Sequence, residues 1–272
     1  MTRAPITCGD QTMQEASQDL LLRHDAQGIT TLTLNRPAQF NALSEAMLGA
    51  LQAQLDALAQ DPQVRCVILA ANGRAFCAGH DLREMRATPE QAYYQQLFDR
   101  CSRLMQSLRA LPVPVIAKVQ GLATAAGCQL VAACDLAVAS EGARFAVSGI
   151  NVGLFCSTPA VALTRNLPIK RALEMLVTGK FIDADTAAQW GLINQAVRAD
   201  ELDAATEALA REICSKPAIS IARGKAMVYR QQMMALPDAY AHAAEVMACN
   251  IMDAEAMEGI QAFLEKRAPQ WQ

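Results

Sequence analysis

The stretch GLATAAGCQLVAACDLAVAS, residues 121–140, decides the fold. It follows VPVIAKV, a β-branched run behind a Pro-rich turn that predicts a buried strand. Small residues then open a helix, and LAVAS reads as the next strand. Strand, helix, strand in this order implies a right-handed crossover and an α/β fold. Ala125, Ala126 and Gly127 are small enough to let a ligand approach the backbone where that helix begins. The first amides of a helix lack intrahelical partners. Gln129, an uncharged amide, stands one turn further on.

The pattern recurs upstream. RAFCAGHDL, residues 74–82, runs from a loop into a helix, with Gly79 at the junction and the His80 amide among the first unpaired donors. Alone, either stretch fits an ordinary capped helix. Together, the amides of His80 and Ala126 can converge on one carbonyl oxygen as a two-donor oxyanion hole.

Outward from these stretches, DLLLRHD and ITTLTLN around AQG predict a hairpin. Ser44 caps a helix whose stripe is Met47, Leu48, Leu51, Leu55 and Leu58. ANGRAFCAGHDLREM, residues 71–85, reads as a loop running into a helix, and residues 143–160 as one long loop. From about residue 157 onward the pattern is almost only helical, broken at Pro168, Gly179, Gly191, Pro217 and Pro237.

The bulk numbers narrow the class. The chain has 272 residues, 52% of them hydrophobic, and net charge −3, with no basic run suited to nucleic acid. Nine scattered cysteines without a CxxC pair argue against a disulfide framework and against a metal site. No apolar stretch reaches membrane-spanning length, so no membrane insertion is expected. The start, MTRAPITCGDQTMQEASQDLL, lacks an apolar leader core, which gives the expectation of a cytoplasmic protein.

Five segments carry a resemblance: ITTLTLNRPAQFNALS, RCVILAANGRAFCAGHDLREM, PVPVIAKVQGLATAAGCQLVAACDLAVASEGARFA, LVTGKFIDADTAAQWGLINQAV and AFLEKRAPQW. In this order they resemble the crotonase superfamily, the enoyl-CoA hydratase/isomerase group, and within it the branch of enoyl-CoA hydratase domain-containing protein 3. That branch is mitochondrial in animals, and the missing leader leads to the expectation of a bacterial cytoplasmic relative. The resemblance implies an α/β fold of the ClpP/crotonase-like type, a spiral of ββα units with a C-terminal helical trimerisation region. The corresponding division is a flexible segment 1–18, a spiral core 19–205 and an oligomerisation region 206–272, assembling as a homotrimer or dimer of trimers.

The resemblance also implies that the ligand is an acyl-CoA thioester, with coenzyme A entering as part of it and no permanently bound cofactor. The oxyanion amides fall on His80 and Ala126. Coenzyme A contacts fall on Ala38, Gln39, Ala78, Asp81 and Leu82, and on Phe263 and Lys266 near the C-terminus. Hydratases of the family add water between two glutamates; those positions match Gln129 and Gly149. Gln does not titrate near neutral pH and Gly has no side chain. General acid–base help is worth about 10²–10⁴-fold, so standard hydration is not expected, and glutamate at both positions should raise it. Cys156 is a candidate base only as a thiolate. The loop FAVSGINVGLF is also similar to that of dihydroxynaphthoyl-CoA synthases, which have Gly at the second position, where bicarbonate fills the space in some members. Their loop aspartate matches Cys156. Three functions stay open: another enolate-type acyl-CoA reaction (isomerase, decarboxylase or thioesterase), a non-catalytic acyl-CoA sensor or carrier, and a structural oligomer.

Overall fold

The computed structural model describes residues 20–271. The segment 1–18 lies outside the described residues.

The chain enters as a hairpin, β1 (Leu21–Ala26) and β2 (Ile29–Leu34), paired from Leu21↔Leu34 to Ala26↔Ile29. Gln27 and Gly28 turn it with φ of 51° and 79°, the left-handed pair that matches strand twist. Helix α1 (Glu45–Leu58) starts on Ser44, whose Oγ accepts the Met47 N–H at 3.2 Å. All five residues of its predicted stripe are buried. Full burial of each such side chain contributes about 1.5–3 kcal/mol before entropy is counted.

The next elements repeat. β3 (Cys66–Ala71) leads to β4 (Ala75–Cys77) and then α2 (Leu82–Ala87) and α3 (Gln91–Ala110). β5 (Val115–Val119) leads to β6 (Leu122–Thr124) and α4 (Ala126–Ala133). β7 (Leu136–Ser140) leads to β8 (Arg144–Ala146), a short 3-10 turn at Ser148–Val152 and α5 (Ser157–Leu163). In each repeat the first strand joins one sheet and the second strand another. The larger sheet runs β1-β2-β3-β5-β7-β10 and the smaller β4-β6-β8-β9. The chain therefore winds as a spiral of ββα units, as the family resemblance implies. α6 (Ile169–Thr178), β9 (Ile182–Asp183), α7 (Ala184–Trp190) and β10 (Gln195–Val197) close the spiral.

Three local expectations change. The stretches 71–85 and 143–160 contain β4 and β8, and the small-residue stretch before α4 contains β6. Three-residue strands are too short for alternation to register. The segment after 157 is not helix alone, because β9 and β10 complete the two sheets. Pro237 does not break a helix; it sits in the first turn of α10 (Leu236–Asn250), where its missing N–H costs nothing.

A large core fills the space between the sheets, α1, α3 and α4. A smaller one lies under α8 (Leu202–Cys214), where Leu202 and Ala210 pack on Ile68, Ile116 and Val138. The expected boundary at 205/206 falls inside α8. α9 (Ala218–Gln231), α10 and α11 (Ala254–Glu265) follow, with few buried residues. α9 is tied back by a buried cluster: Lys225 Nζ lies 2.7 Å from Asp135 Oδ2, and the Tyr229 hydroxyl donates to Asp135 Oδ1 at 2.7 Å. The Val115 N–H also donates to that carboxylate, and Lys225 donates to the carbonyls of Leu108 and Val113. Burial lowers the Lys225 pKa, opposed by Asp135. Every polar atom of the pair is thus met, as a buried ion pair requires.

Candidate active site

Two strand-to-helix junctions meet side by side. In the first, β4 ends at Cys77 and Gly79 turns the chain with φ +95°. The Gly79 carbonyl accepts the Leu43 N–H at 2.8 Å and the Asp81 N–H donates to the Leu43 carbonyl at 3.3 Å. These bonds flank His80 and leave its own N–H with no partner among the described residues. In the second, β6 ends at Thr124 and Ala125 adopts φ 51°, ψ −122°, a conformation rare for any residue with a Cβ. Such backbone strain costs of order 1–3 kcal/mol and clusters at functional sites. Ala125 donates its N–H to the Ala146 carbonyl, and its carbonyl accepts the Gln129 N–H. The Ala126 N–H starts α4 and is likewise unpaired among the described residues.

The junctions touch. A Cβ built on Gly79 would lie 3.2 Å from the Ala126 nitrogen and 2.9 Å from the Ala125 Cβ. Gly127 lets α4 press on β4: a Cβ there would stand 2.0 Å from the Cys77 carbonyl oxygen. Both unpaired amides belong to residues lining one cavity of about 450 Å³.

That cavity brings together Ala78, His80, Leu82, Ala126, Gly149 and Cys156 from the sequence expectations. Met85, Phe98, Leu154 and Phe155 give it apolar walls. None of these four was singled out from sequence, because no spacing rule links α2, α3 and the 154–155 loop. The His80 ring packs edge-on against Phe98, with centroids 5.6 Å apart. Its ring nitrogens are buried and reach no hydrogen-bond partner among the described residues. Burial lowers its pKa below the ordinary imidazole range, so the imidazole is held neutral.

Gln129 is not in that lining. It is buried, and opens instead on an adjoining cavity, with Oε1 unpartnered among the described residues. Gly149 is packed tight. A Cβ on it would lie 2.5 Å from the Leu154 carbonyl oxygen and 2.8 Å from the Cys156 sulfur. The space of a side chain is taken by the loop's own atoms. Burial pushes the Cys156 thiol up, with the Gly149 backbone pulling the other way. A thiolate base needs the opposite shift.

The other expected contacts lie outside the cavity lining. Ala38 and Gln39 are exposed on a single 3-10 turn, Pro37–Gln39. Asn41 braces that turn: its Oδ1 accepts the Arg36 N–H, and its Nδ2 donates to the carbonyls of Asn72 and Ala75. Asp81 caps α2 through the Arg83 N–H and pairs with Arg36 at 3.3 Å. Phe263 is 83% exposed on α11, and Lys266 closes that helix in a left-handed conformation. Glu84 is occupied by accepting the Glu45 N–H at the start of α1. Among the described residues no group of three or more His, Cys, Asp or Glu could hold a metal ion, and no helix is long and apolar enough to cross a membrane.

The chain matches the family description Enoyl-CoA hydratase/isomerase over residues 24–272. The chain belongs to the enoyl-CoA hydratase/isomerase family. Enoyl-CoA hydratase domain-containing protein 3, mitochondrial, of Xenopus laevis is 46% identical over 93% of this chain and 86% of that protein. Its Homo sapiens namesake is 46% identical over 90% of this chain and 80% of that protein. The crystal structure of an enoyl-CoA hydratase of Mycobacterium smegmatis superposes with a TM-score of 0.92, at 59% identity, over 93% of this chain and 99% of that one. The fold is that of the crotonases. The expected bacterial cytoplasmic location is overturned by the relatives named mitochondrial.

Proposed function

We propose that the chain binds an acyl-CoA thioester with its carbonyl oxygen between the amides of His80 and Ala126. The observation that carries this is the pair of unpaired donors at two touching junctions on one apolar cavity. Donors fixed in a water-poor site stabilise developing enolate charge more than donors in water do. Ala78 and Leu82 would border the coenzyme A arm, with Ala38, Gln39 and Asp81 beside its entry. Phe263 and Lys266 would meet it from α11, within an assembly built on the exposed apolar residues of α9, α10 and α11. The relatives' names favour a mitochondrial setting.

Efficient hydration of simple 2-enoyl-CoA is not part of this proposal. Gln129 cannot exchange a proton, Gly149 has no side chain, and the neighbouring thiol is held protonated. An enolate-type reaction other than hydration and a non-catalytic acyl-CoA carrier both fit. Calorimetry with octanoyl-CoA and with its S-octyl thioether separates carbonyl recognition from general CoA affinity. The thioester should bind about tenfold more tightly, the worth of one well-placed donor pair. Equal affinity would remove the oxyanion role. Ordinary enzymatic turnover of crotonyl-CoA would overturn the exclusion of hydration.

A further inference from the structure

A second cavity, of about 820 Å³, lies between α3, α4, α5 and α9. It adjoins the first. Thr158 lines both, and Ala126 of the first and Gln129 of the second lie one turn apart on the same side of α4. The rise between them is about 4.5 Å. The lining is apolar at Met105, Val161, Ala162 and Met233 and cationic at Arg109, Arg165 and Arg230. Among the described residues no carboxylate lines it. Arg109 stacks on the Tyr229 ring at 4.6 Å, and Arg165 spends one nitrogen on the Val161 carbonyl. Gln129, 4% exposed, faces this space with its Oε1 unmet. That oxygen only accepts, so it cannot meet a carboxylate; the three guanidinium groups, all donors, set the sign of the group that fits the cavity.

We infer that this cavity takes the far end of the acyl chain and that the chain ends in a carboxylate. The ligand class is then an ω-carboxyacyl-CoA. Methylenes would lie along Met105 and Val161, and the terminal carboxylate would meet the guanidinium of Arg165 or Arg109, which presents paired donors to such a group. The inference rests on the acyl-CoA function proposed above.

Calorimetry on the full chain with suberoyl-CoA and octanoyl-CoA, saturated thioesters of equal length, tests it. Suberoyl-CoA should bind about tenfold or more tightly. Arg165→Gln, on the exposed face of its segment, should erase most of that preference and leave octanoyl-CoA affinity unchanged. Arg109→Gln should do the same. Equal binding of the two thioesters overturns this inference alone. Failure of both thioesters to bind overturns the acyl-CoA function and this inference with it. Free octanoate binding alongside octanoyl-CoA, with no preference for suberoyl-CoA, would assign the cavity to a separate carboxylate and overturn the tethered chain.

Discussion

The resemblance alone makes Gly149 and Gln129 equivalent positions, each standing where a hydratase would carry a glutamate. Their surroundings differ. Gln129 sits in open space that a glutamate of similar size can occupy, whereas Gly149 is sealed by the Leu154 carbonyl and the Cys156 sulfur. Gln129→Glu should therefore fold normally. Gly149→Glu should lower thermal stability by about 1–3 kcal/mol through overpacking, and the double variant should not recover hydratase activity. A melting curve and a crotonyl-CoA assay on both variants check this, and full hydration by the double variant would contradict it. His80 yields a pH prediction. Burial depresses its folded pKa below the ordinary imidazole value of 6.5. Acid protonates the unfolded chain first, so the stability from neutral His80 is present above about pH 6.5 and is lost as pH falls through the folded pKa. His80→Leu should flatten the fall in melting temperature between pH 7 and 5. An unchanged slope would count against a neutral buried imidazole.

At the scale of elements, α9 is held on the spiral by one charged cluster rather than by an apolar stripe, since none of its residues is fully buried. Removing Lys225 would leave Asp135 buried with its charge unpaired. Lys225→Met should cost about 3–5 kcal/mol, and Asp135→Asn combined with it should cost less than the sum. Urea unfolding of the three variants measures this; additive losses would mean the pair is not coupled. The same scale explains what was legible in the sequence. α1 announced itself through Ser44 and an unbroken stripe, and the long strands through β-branched runs. β4, β6 and β8 were hidden because three residues cannot show a period. The two amide junctions were legible because glycine and alanine at strand ends are a local signal. That Gln129 faces a different cavity from Gly149 was not, because the separation is made by Thr158 and the 154–156 loop, distant in sequence from α4.

For the whole molecule, the most exposed apolar residues gather after residue 230. Tyr240, Met247, Met252 and Phe263 are each more than 70% exposed. A lone chain would pay for such a surface in solubility, which supports an assembly built on these helices. Light scattering should give a mass of three or six chains, and Met247→Asp with Met252→Asp should shift it toward one. A wild-type monomer would remove the proposed cross-subunit role of Phe263 and Lys266.

The cysteines add a property of a different kind. Six thiols, at 66, 77, 101, 128, 134 and 156, are buried, and burial pushes Cys77, Cys101 and Cys128 up to about 12. Cys249 is exposed. The chain therefore carries its own clock of opening. In a thiol-labelling time course each interior sulfur reacts only when the layer around it parts. Cys128 and Cys156 time the opening of the cavity wall, and Cys66 that of the sheet beneath α8, with no probe added to the protein.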